Sequence, residues 1–197
     1  MRRLLIATKN AHKTGEIRAI LGSQWEVTDL TAHPEIPAPD ETGSTFEANA
    51  RIKAETASRI FAGLVLSDDS GLEVDALNGA PGVDSAIYGG KHGDDAGNRA
   101  RLKRELSGLD GLKPWKARFR CVMALAENGE TLAAFDGRVE GQVIGEERGE
   151  SGFGYDPLFV PDGYDQTFGE LSNAVKNELS HRARALGRVM EWLRLQS

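Results

Sequence analysis

The sequence, 197 residues long, predicts an α/β fold built on a mixed sheet, and three observations carry that reading. Short apolar runs at residues 3–7 and 64–67 have the length and composition of buried strands. Segments at 13–21, 46–62 and 180–195 repeat their apolar residues at helical spacing. Asn128-Gly129, between two strand-like runs, marks a hairpin, because two residues that accept positive φ close the tightest β connection. A hairpin that follows strand–helix alternation makes the sheet mixed.

Residues 3–7 give the first strand, and 13–21 a helix with Ile17, Ile20 and Leu21 inward, closed by Gly22. A second strand at 25–30 precedes Pro34, Pro37 and Pro39, which exclude regular structure through Asp40. Ser44-Thr45-Phe46-Glu47 fits a capping box for a helix reaching residue 62, with Phe46, Ala50, Ala54, Ala57 and Phe61 on one stripe. The strand at 64–67 continues through 72–74 beyond a kink at Ser70-Gly71. Residues 78–93 hold five glycines and one proline and form a long loop. A polar surface helix at 95–106 follows, then a long strand at 117–126 that returns through 131–143. Residues 152–160 read as a strand after a glycine-rich lead. Ser180 caps a last helix that turns Ala183, Leu186, Val189, Met190 and Leu193 inward.

This length, at 40% hydrophobic composition, suits one domain covering residues 1–197. A net charge of -6 and a pI near 5.3 exclude a non-specific nucleic-acid binder, which needs a basic face. Cys121 is the sole cysteine, so neither an intrachain disulfide nor a thiolate cluster forms, which fits the cytoplasm. The first apolar stretch is too short for a signal peptide, and no segment approaches the roughly 20 apolar residues of a membrane span. A soluble protein without membrane partners is expected.

Chemistry concentrates in a few places. Asp68 and Asp69 end an apolar run, and adjacent carboxylates carried inward repel each other and lose hydration unless a cation or a reaction uses them. A Mg²⁺ site is one reading and an Asp-Asp-Ser-Gly turn the other. Thr8-Lys9-Asn10-Ala11-His12-Lys13 joins a strand to a helix, where free backbone N–H groups and Lys13 suit an anion; without paired glycines it is no Walker loop. His12 reads as a surface residue. Lys53 shares a helix face with Phe46, close enough to the buried edge to reach a phosphate or merely to snorkel past the core. Glu41, just ahead of that helix, is a candidate second oxygen ligand. Phe153 lies between glycines that let a flat base approach, and Asp156 is placed to accept from its N–H groups. His181 and Arg182 offer donors to carbonyl oxygens. Asp94-Asp95 and Glu146-Glu147 read as solvated charge with no site implied.

Five ordered motifs then coincide: Thr8-x-Asn10-x-x-Lys13, Glu41-Thr42-Gly43-x-Thr45-Phe46, Asp68-Asp69-Ser70-Gly71-Leu72, Phe153-Gly154-Tyr155-Asp156-Pro157 and Ser180-His181-Arg182. Together they resemble the inosine triphosphate pyrophosphatase family of the RdgB/HAM1 type, over nearly the whole chain. The resemblance implies an elongated mixed sheet with flanking helices in two lobes around an active-site cleft, a Mg²⁺ cofactor and a homodimer. It implies hydrolysis of ITP, dITP and XTP to the monophosphate and pyrophosphate. Carried over by position, Thr8, Lys9, Asn10, Ala11, His12, Lys13 and Lys53 bind substrate, Glu41 and Asp69 hold the metal, and Asp69 is the general base. Ser70, Phe153, Gly154, Tyr155, Asp156, Lys176, His181 and Arg182 complete the nucleoside side. Lys9 stands where relatives commonly carry glycine, and Asn173-Ala174-Val175 where they often carry acidic residues.

Hydrolysis between the α and β phosphates needs an in-line water, charge neutralisation and a base. A 6-oxo purine presents an acceptor where adenine presents an amino group, so donors at the base edge favour it. Competing readings are a Maf-type enzyme preferring modified pyrimidine nucleotides and a nucleotide sensor without turnover.

Overall fold

A computed structural model describes residues 2–109 and 113–196, with the side chain of Arg2 excepted. One six-stranded sheet runs in the order β2-β1-β3-β4-β5-β6. Its strands are β1 (Arg2–Ile6), β2 (Trp25–Asp29), β3 (Leu64–Val74), β4 (Trp115–Glu127), β5 (Glu130–Val143) and β6 (Phe159–Pro161). β1 pairs in parallel with β2 and β3, whereas β5 and β6 pair antiparallel, so the sheet is mixed as expected. Among the described residues five α-helices accompany it: α1 (Ala11–Leu21), α2 (Phe46–Ser58), α3 (Asp95–Ser107), α4 (Asn173–Leu179) and α5 (His181–Leu195). None is long and apolar enough to cross a membrane among the described residues.

The chain divides into two compact units, the first comprising Met1–Asp69, Cys121–Gly137 and Arg182–Ser197, the second Ser70–Arg120 and Arg138–His181. In the first, Leu4 and Ile6 of β1, Ile17 of α1, Leu66 of β3, Met123 of β4 and Leu186 and Val189 of α5 share one core cluster. A smaller cluster sets the Phe46–Ala50–Ala54 stripe of α2 against Val122 and Ala124. The second unit buries Leu102 and Leu106 of α3 with Phe119, Tyr155, Phe159 and Phe168. Each unit therefore has apolar burial of its own, the main driving force of folding.

Local expectations hold where turn chemistry decides them. Asn128 and Gly129 take φ of 53° and 85°, the left-handed pair that the hairpin requires. Gly22 ends α1 with φ 66°. Others are corrected. Thr45, not Ser44, caps α2 by accepting from the Ala48 N–H, while Glu47 turns to Arg51. β3 is continuous through Ser70-Gly71. Residues 152–155 form turns and not a strand, because Gly152 and Gly154 take positive φ and the Asp156 side chain ties back to the Phe153 N–H. The last helix does begin directly after Ser180 and runs to Leu195, but α4 was not foreseen: it is capped by Ser172, and Ser180 is also its C-cap.

Candidate active site

In the first unit the site builds on β1, β3 and two helix starts. Asn10 caps α1, its side chain accepting from the His12 and Lys13 N–H groups at 3.0 and 3.3 Å, and its own N–H donates to Thr8 Oγ1 at 3.1 Å. The turn from Thr8 to Lys13 thus holds itself by short-range bonds. Lys9, Asn10, Ala11 and His12 are exposed at its rim.

Lys13 reaches across to β3, where its Nζ lies 2.5 Å from Asp68 Oδ1. Arg182, 1% exposed at the start of α5, places Nε 2.7 Å from Asp68 Oδ2 and Nη1 2.5 Å from Glu16 Oε2. The Cys121 thiol donates to Asp68 Oδ2 at 3.2 Å. Burial alone would push the Asp68 carboxyl up, but Arg182 and Lys13 outweigh it and hold the group well below the carboxylate range. The same carboxylate, after burial, drives the Cys121 thiol far upward, so this cysteine is an inert neutral neighbour.

Asp69 follows a different course. Lys53 of α2 sets its Nζ 2.7 Å from Asp69 Oδ1 and 3.3 Å from Glu41 Oε2, so one ammonium is shared by two carboxylates that come from separate segments. Asp69 Oδ2 is buried without a hydrogen-bond partner among the described residues. Burial raises the Asp69 pKa against the pull of Lys53. For Lys53 burial works the other way, yet Asp69 and Glu41 prevail and hold its pKa above the ordinary lysine value. Glu41 is held near α2 by the turn at Gly43, whose N–H donates to Asn49 Oδ1 at 2.8 Å; a Cβ there would meet that oxygen at 2.6 Å.

In the second unit, Phe153 is half-buried, with its N–H donating to Asp156 Oδ2 at 2.9 Å. Lys176, 3% exposed on α4, donates to the same oxygen at 2.6 Å and lies 5.0 Å from the centre of the Phe153 ring. Asp156 therefore orders this loop internally, in addition to any role toward a base. The Tyr155 hydroxyl donates to the Ser85 carbonyl at 2.9 Å, and burial raises its pKa. The His181 ring stacks on Phe119 at 4.9 Å. Ser70 is half-buried on β3.

Of the pairs read as solvated charge, Asp94, Glu146 and Glu147 are exposed as expected, but three of the four residues are engaged. Asp94 caps α3, Asp95 accepts from the Gly154 N–H at 2.7 Å, and Glu147 pairs with Arg99 and Lys103. Arg99 also donates to the Gly154 carbonyl at 2.8 Å. The four-residue spacing of Asp95 and Arg99 is visible in sequence, but their partner, 59 positions from Asp95, is not.

Fold and side chains together define an α/β protein with a lysine–carboxylate centre beside a helix start in one unit and an ordered aromatic loop in the other. The chain belongs to the Ham1 family, whose model matches residues 4–192. It is 45% identical over 197 residues to a dITP/XTP pyrophosphatase of Halalkalibacterium halodurans, covering 98% of this chain and 100% of that protein. A dITP/XTP pyrophosphatase of Exiguobacterium sibiricum is 46% identical over 189 residues, 95% of this chain and 94% of the other. Among solved structures, the Staphylococcus aureus Ham1 protein superposes with a TM-score of 0.86 at 35% identity, with full coverage of both chains. The nucleoside-triphosphatase / dITP/XTP pyrophosphatase of Mycobacterium abscessus gives 0.75 at 41% identity, covering 95% and 98%.

Proposed function

We propose that this chain hydrolyses non-standard purine nucleoside triphosphates, ITP, dITP, XTP and dXTP, to the nucleoside monophosphate and pyrophosphate. The observation that carries the reading is the Glu41–Lys53–Asp69 arrangement, in which Asp69 keeps one buried oxygen unpartnered among the described residues. The full-length similarity to proteins named for this activity supports it.

Lys13, Lys53 and the N–H groups of the Thr8–Lys13 turn bind the triphosphate. Asp69 takes a proton from the attacking water at Oδ2, a task favoured by a carboxyl whose pKa burial has raised. Glu41 and Asp69 fit a hard cation, since they already converge on one positive charge; among the described residues no group of three or more His, Cys, Asp or Glu side chains stands ready as a cage. Glu41 and Asp69 would hold a Mg²⁺ there, which would supply neutralisation of the polyphosphate charge. Asp68, with both oxygens given to cations, anchors Lys13 and Arg182 and is no metal ligand in this account.

In the second unit Phe153 stacks on the purine, and Ser70, Gly154, Tyr155, Asp156, Lys176 and His181 shape the base side. Arg182 acts mainly through Asp68, with base contact secondary, because its guanidinium is committed to two carboxylates. The whole chain works as one nucleotide pyrophosphatase domain, cytoplasmic and homodimeric, without nucleic-acid or membrane partners.

Purified protein with Mg²⁺ is expected to release pyrophosphate from ITP or XTP much faster than from ATP or GTP. Orthophosphate as the product, or equal rates on all four, overturns the proposal. A pyrimidine preference would favour the Maf-type reading, and tight ITP binding without turnover a sensor.

A further inference from the structure

We infer that Asp95 and Arg99 on α3 are positioning residues for the Phe153 loop, an inference that rests on the proposed function and adds to it a specificity element outside the residues so far assigned to the site. Four consecutive backbone polar groups of this loop are held. The Phe153 N–H donates to Asp156 Oδ2 at 2.9 Å, and the Phe153 carbonyl accepts from the Asp156 N–H at 3.2 Å. The Gly154 N–H donates to Asp95 Oδ2 at 2.7 Å, and the Gly154 carbonyl accepts from Arg99 Nη1 at 2.8 Å.

The first two bonds lie inside the loop and travel with it. The second two come from a helix seated in the core of the same unit through Leu102 and Leu106, so they tie the loop to a fixed body. Residues four apart share one helix face, and here an acceptor and a donor on that face match a donor and an acceptor on one glycine. That glycine has φ 60°, where the absence of a side chain leaves the backbone most free to rearrange. Glu147 fixes the clamp from behind, 2.8 Å from Arg99 Nε and 2.5 Å from Lys103 Nζ.

A ring held in advance costs less ordering when a flat base stacks on it, so the clamp acts on base affinity and not on the phosphate reaction. The test compares Asp95→Ala, Asp95→Asn, Arg99→Ala and Arg99→Met with the wild type. It measures pyrophosphate release from ITP in Mg²⁺ and inhibition by inorganic tripolyphosphate, a ligand with no base. Asp95→Ala and both Arg99 variants should raise KM for ITP about tenfold, the size of one lost charge-assisted hydrogen bond, with kcat and the tripolyphosphate Ki nearly unchanged. Asp95→Asn keeps an acceptor for Gly154 and should restore most of the affinity. An unchanged KM in a folded Arg99→Met protein overturns the inference. So does a KM increase matched by an equal rise in the tripolyphosphate Ki, which would mark a general loosening. A wild type that releases no pyrophosphate from ITP sinks the proposed function; an active wild type matched by its variants sinks the clamp alone.

Discussion

Asp68 and Asp69 are neighbours on one strand, yet their surroundings have opposite character. Strand geometry sends successive side chains to opposite faces. Asp68, 1% exposed, meets Arg182, Lys13 and the Cys121 thiol, and its carboxylate is saturated and strongly acidic. Asp69, 7% exposed, bonds through one oxygen to Lys53, which it shares with Glu41, and also feels the Lys13 charge; its other oxygen has no hydrogen-bond partner among the described residues, and burial raises its pKa. A carboxylate with all its acceptors used holds structure together, whereas one with a spare oxygen is available to a proton or a metal.

The sharpest way to break the comparison is at Asp68. Asp68→Asn leaves Arg182 and Lys13 facing a neutral amide in a buried site, and removing one member of such a cluster costs about 3 kcal/mol. For a chain of this size the melting temperature should fall by roughly 10 °C; a calorimetric scan that overlays the wild type would show that the cluster does not hold the fold. Lys53→Met comes next. It removes the cation between Glu41 and Asp69, and kcat/KM for ITP should drop about 100-fold, as expected when a preorganised charge on a polyphosphate is lost. Phe153→Ala is a smaller perturbation, on the base side alone. The loss of one stacked ring should raise KM for ITP about tenfold with little change in kcat. Equal loss for ITP and tripolyphosphate binding would assign Phe153 to folding instead. Cys121→Ala is the mildest: a weak thiol donor to an already saturated Asp68 contributes at most about 1 kcal/mol, read as a small shift in urea midpoint.

How much of this was legible in the sequence follows from how local each cause is. Asn128-Gly129 and Gly22 declared themselves because their backbone angles are set by their own chemistry. The stripe from Phe46 to Ala57 announced α2, although the cap fell one residue later than expected. α4 escaped notice because its seven residues carry only Val175 and Leu179 as large apolar side chains, too few for a periodic signal. Of the strand expected at 152–160 only the end survives, in β6, while residues 152–155 turn because a side chain, Asp156, pulls the backbone round on itself. At the site, the acidic pair stood out by its cost, Lys13 and Glu41 by their place in the motifs, and Lys53 by the helix face it shares with Phe46. The resemblance singled out Asp69, but the role of Asp68 could not be read, since its deciding partner, Arg182, is 114 positions away. The same distance problem hid Asp95, read as solvated charge, and Arg99, on a helix read only as polar surface.

The most direct test of the division between the two aspartates is pyrophosphate release from ITP by Asp69→Asn in saturating Mg²⁺, with the melting temperature taken on the same sample. Loss of a general base should lower kcat by at least about 100-fold while the protein melts within a few degrees of the wild type, because Lys53 keeps Glu41 as its partner. A folded Asp69→Asn protein that keeps near-wild-type turnover would contradict the account and return the acidic pair to a purely structural role.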